Sequence, residues 1–149
     1  MKKVIALLMA GLLVLCMSGF AAAAATKADA EGMVKKGIAF VKSSGKEKAL
    51  AEFSNPAGQF VKGELYIFVV DFNGVILAHG ANAKLINKNM IDLKDAAGKP
   101  FMHDIVKAGK QGSGWVEYQW TNPVSKKIEP KVAFAKAEGD IILACGIYK

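Results

Sequence analysis

Arginine is absent from this sequence, although 20 of its 149 residues carry basic charge as lysine. The lysines are scattered from Lys27 to Lys149 without a dense run. Nucleic-acid recognition draws on clustered basic patches that include the guanidinium fork, so no nucleic-acid partner is expected. The lysines read as a solvated surface that mildly favours anionic ligands. Cysteine is nearly absent too: Cys16 lies in an N-terminal apolar segment, and without that segment Cys145 stands alone. One thiol excludes an intramolecular disulfide, a Cys-x-x-Cys-His haem attachment and a cysteine-rich zinc site. Within Ile141-Ile142-Leu143-Ala144-Cys145-Gly146-Ile147, Cys145 reads as a small buried hydrophobe. No serine has a nucleophile-elbow context, and the glycines over 109–114 lead into a strand rather than a helix, so they make no phosphate loop. Nothing fixes Glu117 and Glu129 as an acid/base pair. No enzyme, cofactor or metal is expected. There is no internal repeat, low-complexity tail or second domain.

The one long hydrophobic run is N-terminal. Met1-Lys2-Lys3 is a short basic start, residues 4–15 are almost wholly apolar, and the small residues over 21–25 offer cleavage positions. Together they predict a signal peptide over 1–25, and hence a periplasmic or secreted protein with no membrane contact after cleavage. The rival reading is an uncleaved anchor, since a span needs about 20 apolar residues. Leu15 before Cys16 argues against a lipoprotein cysteine. Cleavage removes the two charges of Lys2 and Lys3 from the formal +7 and leaves residues 26–149, enough for one domain with a real core.

Residues 28–53 read as helix, with Met33, Ile38, Phe40 and Val41 as a rough apolar stripe. Ser43-Ser44-Gly45 interrupts it, and Asn55-Pro56 stops the second part. From Gly63 the period becomes two. Strands are predicted over 64–70, 75–79, 114–120, 131–137 and 141–148, the first two joined by a turn over Asp71-Phe72-Asn73-Gly74. Asp71 and Asp95 read as turn residues whose carboxylates accept backbone bonds. Residues 80–112 cross between the two strand groups and contain a short helix opened by Pro100. Short turns make most neighbours antiparallel, and the crossing segment and the N-terminal helix cover opposite sheet faces. The fold class is therefore α+β, a PAS-like five-stranded antiparallel sheet.

The pieces carry a family resemblance. Tyr66-Ile67-Phe68-Val69-Val70-Asp71, the stretch from Gly74 to His79, Asn89-Met90-Ile91-Asp92-Leu93-Lys94-Asp95 with Gly98-Lys99, Gly112-Ser113-Gly114-Trp115-Val116-Glu117-Tyr118-Gln119-Trp120, Lys131-Val132-Ala133-Phe134 and Gly146-Ile147-Tyr148 resemble, in order and spacing, the type 2 single Cache domains. These are extracytoplasmic sensor modules of bacterial chemoreceptors and kinases. The resemblance implies a small pocket between the sheet and the crossing segment, and a short organic acid as ligand. It also implies a role in signal transduction, with a membrane receptor or sensor kinase as partner. Members commonly carry tyrosine where this chain has Phe134, so a pocket hydroxyl is expected to be missing. Receptors continue into a second membrane helix, whereas this sequence ends at Lys149 and so looks like a free-standing Cache protein. A rival is an interaction module that docks on a membrane sensor without its own ligand.

Five residues are candidates for ligand binding: His79, Trp115, Tyr118, Trp120 and Lys131. His79 either closes the hairpin end or donates to a ligand oxygen. The aromatics pair apolar area with polar tips, but strict alternation puts Trp115 opposite Tyr118 and Trp120, unless a bulge intervenes. Lys131 is either a solvated strand end or a point charge for a buried carboxylate. His103 is expected to be exposed.

Overall fold

The structure, a computed structural model, describes residues 23–149. The signal segment expected over 1–25 thus lies, up to residue 22, outside the described residues. Among those described, no helix is long and apolar enough to cross a membrane.

Helix α1 (Lys27–Ser44) starts at a capping box. Thr26 Oγ1 accepts from Asp29 N at 3.2 Å, and Asp29 Oδ2 accepts from Thr26 N at 2.8 Å. It stops at Gly45, whose φ of 86° no continuing helix tolerates, and α2 (Lys46–Phe53) follows. The buried stripe of α1 is Ala30, Val34, Gly37 and Ile38, with Met33, Phe40 and Val41 only flanking it. Of the residues expected as the stripe only Ile38 belongs to it, and smaller ones take the other places because the helix lies close on the sheet. A Cβ on Gly37 would sit 2.6 Å from Ile67 Cδ1.

Strands β1 (Val61–Lys62) and β2 (Leu65–Tyr66) form a small antiparallel ribbon. β3 (Phe68–Asp71), β4 (Ile76–His79), β5 (Ser113–Thr121), β6 (Ile128–Glu138) and β7 (Ile141–Tyr148) form the main sheet, ordered β4-β3-β7-β6-β5 and antiparallel throughout. The strand expected over 64–70 is therefore split. Gly63, at a φ of 60°, turns the chain so that Leu65 and Tyr66 pair back on Val61 and Lys62. One sheet face packs on α1 and α2 through Ile67, Val69, Phe134, Leu143 and Cys145. The other, called inner here, carries Phe68, Val116, Tyr118, Ala133, Ala135 and Ala144. It is covered by the crossing segment and α3 (Phe101–Lys110).

The crossing segment is fastened at both sheet edges. At β4, Ile76 N donates to Lys88 O at 2.9 Å and Asn87 N to Ile76 O at 2.8 Å, while Met90 N donates to Gly74 O at 2.9 Å. At β5, Asp95 Oδ2 accepts from Gln119 N at 2.8 Å, while its Oδ1 holds Ala97 N at 3.0 Å and Lys99 N at 2.9 Å. Asp95 thus does more than shape its own turn: it ties the segment to the far strand.

The hairpin turn is built as its sequence requires. Asp71 Oδ1 accepts from Asn73 N at 2.9 Å and Val75 N at 3.0 Å, and Gly74 adopts a φ of 85°. Ile91 closes over that glycine, 2.8 Å from where a Cβ would lie. Gly74→Ala combines left-handed strain with a collision against the crossing segment. It is expected to destabilise the fold by about 1–3 kcal/mol, read from the urea midpoint; an unchanged midpoint would mean the segment is not seated on the turn.

Candidate functional site

Lys131 sits on β6 with Tyr118 opposite it on β5 and Tyr148 opposite it on β7. Its side chain enters the inner face and is 1% exposed. The stem crosses Gly146, where a Cβ would lie 2.7 Å from Lys131 Cε and 2.7 Å from Val132 O. Only glycine leaves that path open. The amine donates to Tyr66 Oη at 2.8 Å. It lies 4.1 Å from the Tyr66 ring centroid, 5.1 Å from Tyr148, 5.5 Å from Phe68 and 5.8 Å from Tyr118, a four-ring cage of the kind that attracts a cation. Tyr66 Oη and Tyr148 Oη are 3.3 Å apart, and Tyr148 Oη donates to Thr121 O at 2.8 Å. With the Tyr148 proton committed to that carbonyl, the chain runs one way, from Lys131 through Tyr66 to Tyr148. None of the ion pairs among the described residues includes Lys131. Burial pushes its pKa down to about 7, against a weaker upward pull from Cys145 and Glu64. The Tyr66 and Tyr118 hydroxyls, desolvated, are held well above the usual phenol range and stay neutral.

His79 ends β4, buried. Its Nδ1 accepts from Asn82 N at 2.9 Å and Ala81 N at 3.2 Å, which assigns the proton of the neutral ring to Nε2. The ring lies 4.9 Å from Tyr66 and 6.0 Å from Phe68. Burial, then the Lys131 charge, drives its pKa down to about 3. Glycine follows at residue 80 because a Cβ there would lie 2.9 Å from Val61 Cγ2 and 3.1 Å from Phe53 O.

His79, Tyr66, Phe68, Tyr118, Trp120 and Met102 surround a cavity of about 10 Å³, about the space of one water. Tyr118 stacks on Phe101 at 4.5 Å and 8°, and Trp120 leans on the same ring at 5.3 Å. Tyr118 also borders a shallow cleft outside, between Asp95, Lys99, Gln119 and Lys131.

Trp115 is not in this group. The β5–β6 register runs without a bulge, so Trp115 faces the other way. It is 37% exposed, with Lys27 Nζ 5.1 Å from its ring and Phe134 at 5.2 Å. Phe134 is likewise on the α1 side, in the outer core. The hydroxyl expected to be missing from the pocket therefore concerns a residue whose ring does not reach the cavity. Cys145 is buried and His103 exposed, as expected. Glu117 pairs with Lys149 at 2.6 Å, whereas Glu129 accepts from Asn122 and Ser125, so the two carboxylates have separate partners.

Tyr66, Tyr148 and Gly146 went unrecognised as a site from the sequence. Register was the available signal. Counting back from the Glu138-Gly139-Asp140 turn sets Tyr148 beside Lys131, and counting from the Asn122-Pro123 turn sets Tyr118 there.

A histidine of folded pKa about 3 and ordinary pKa 6.5 binds more protons when unfolded across that interval. Stability from His79 is thus present above pH 6.5 and lost as pH falls towards 3. His79→Asn places an amide oxygen where Nδ1 accepts and cannot titrate. Urea midpoints of the two proteins are expected to converge on acidification, and parallel curves would show that His79 is not buried neutral.

The fold has counterparts among known proteins. A methyl-accepting chemotaxis protein from Vibrio parahaemolyticus RIMD 2210633 superposes with a TM-score of 0.71 and 25% identity over 82% of this chain and 87% of that one. The periplasmic sensor domain of a chemotaxis protein gives 0.64 at 24% over 79% and 86%. A Cache chemosensory domain described for its carboxylic acid recognition gives 0.62 at 22% over 79% and 84%. In sequence, 69 residues are 29% identical to the sensor histidine kinase MctS of Rhizobium johnstonii (strain DSM 114642 / LMG 32736 / 3841). That stretch is 46% of this chain but only 15% of the kinase. The model of the family named Single Cache domain 2 matches residues 18–149, and the chain belongs to that family of sensor domains.

Proposed function

We propose that this chain is an extracytoplasmic sensor module that reversibly binds a short carboxylate and reports it to a membrane receptor or sensor kinase. One observation carries the reading: a buried lysine amine with no acidic partner among the described residues, caged by four rings of which Tyr66, Phe68 and Tyr118 also line the cavity. Such an amine lacks a counter-charge, and a ligand carboxylate supplies one. His79 Nε2–H and the Tyr118 hydroxyl add neutral donors, and Trp120 and Phe101 form apolar walls. The structural neighbour described for carboxylic acid recognition supports the ligand class. The neighbour described as a periplasmic sensor domain supports the location.

A cavity of about 10 Å³ is smaller than any carboxylate, so binding requires side chains to move. Met90 and Met102 are the flexible wall residues, and the Lys131 amine has only one hydrogen bond to release. An acid of two to five carbons fits that degree of rearrangement.

A charge-assisted bond to a shielded carboxylate is worth about 1.5–3 kcal/mol. Lys131→Met, which keeps the stem, is therefore expected to weaken binding about ten- to a hundredfold. His79→Ala costs less, and His79→Gln least because its amide still donates. Calorimetric titration with acids of two to five carbons checks this; wild-type affinity in Lys131→Met would remove Lys131 from the site. The small cavity favours one other reading, a docking module with a self-filled pocket. That reading replaces the first if no acid of the panel raises the thermal midpoint.

A further inference from the structure

We infer that the site takes up each carboxylate together with one proton, so that acid and lysine enter the core as a neutral pair. The inference rests on the carboxylate reading and adds the regulation of that site by pH.

It follows from which groups surround the amine. β2 contributes Tyr66, β4 His79, β5 Tyr118, and β7 Tyr148 and Cys145. The turn before β2 contributes Glu64, and β6 itself Glu129. α3 presents the apolar Phe101. At the outer mouth stand Asp95, Lys99, Glu117 and Lys149. The tyrosines are neutral. Burial pushes the Cys145 thiol up to about 12, and His79 stays uncharged above about 3. The acidic groups are already bound elsewhere. Asn122 Nδ2 reaches Glu64 at 3.3 Å and Glu129 at 2.8 Å, three backbone N–H groups hold Asp95, and Lys149 holds Glu117. Lys99 bonds Glu117 O and pairs with Asp104. Lys131 is therefore the group at this site that changes charge near neutrality.

In the free protein its proton is held only by ring faces and one phenol oxygen, against the full cost of burial, which sets its pKa at about 7. A carboxylate beside it reverses that balance and raises its proton affinity. Above pH 7, a protein with a neutral amine must collect a proton as it binds. Below, the proton is already present. Histidine, the usual sensor in this range, is not the switch here, because its Nδ1 is committed to two backbone N–H groups.

Calorimetry of the protein with acetate, propionate, butyrate and pyruvate, from pH 6 to 9, tests this. Affinity is expected to fall about a hundredfold across that range. At pH 8 the heats in phosphate and Tris should differ by the ionisation heat of about one proton, and at pH 6 by almost none. Lys131→Arg, charged throughout, should lose both effects in whatever binding it retains. Should that variant not fold, NMR of the labelled lysine Cε supplies the same reading: a titration near pH 7 that moves up with ligand. Binding at pH 6 that neither weakens by pH 9 nor depends on buffer overturns the inference and leaves carboxylate binding standing. Binding of none of the four acids at pH 6 overturns both.

Discussion

An ammonium group cannot be carried into an apolar interior without compensation, and the desolvation of one ion costs several kcal/mol. Lys131 is compensated by four aromatic rings and a phenol oxygen rather than by a carboxylate. A hydrogen bond to a charged donor contributes about 1.5–3 kcal/mol and a desolvated cation–ring contact about 2 kcal/mol, so the cage offsets the cost without cancelling it. The rest of the inner face serves that arrangement. Gly146 clears the path of the stem, Ala133 and Ala144 keep the floor low, and Tyr148 orients the proton of Tyr66.

The same constraint explains why the crossing segment is tied at both edges. A buried amine keeps its depressed proton affinity only while water is excluded. The segment excludes it by spanning the inner face from the β4 edge, through backbone bonds at Ile76 and Gly74, to the β5 edge, through Asp95. Gln119 N–H, with Lys99 and Ala97, holds the Asp95 carboxyl below the usual carboxylate range, so that tie survives mild acid. The segment is short of regular structure, and its order comes from these fixed points. Under the proposed function it is also the element a ligand must displace, since Met90 and Leu85 in the cavity wall belong to it.

His79 divides its two nitrogens between two tasks. Nδ1 accepts the backbone N–H groups that begin the crossing segment, and Nε2 is left as a neutral donor. A histidine read as either a structural hairpin end or a pocket wall is placed to be both, one nitrogen for each.

The order of helices, strands and turns follows from local chemistry, and so was legible in the sequence. Thr26 with Asp29 starts a helix, Gly45 breaks it, Asp71 to Gly74 turns a hairpin, and alternation along β5 separates Trp115 from Tyr118 and Trp120. Each of these depends on residues a few positions apart. The split at Gly63 was less legible, since two apolar residues, Leu65 and Tyr66, continue the strand period while pairing elsewhere. The surroundings of Lys131 were not legible in that way. Lys131 follows Pro130, where the sequence leaves a solvated strand end and a point charge for a buried carboxylate both open. It becomes the most buried charge among the described residues because Tyr66, 65 positions away, and Tyr148 meet it across three strands. The sequence determined the elements and the faces their side chains share. Only tertiary structure decided which face was sealed from water, and desolvation, which sets the charge of Lys131 and His79, depends on groups brought together from every part of the chain.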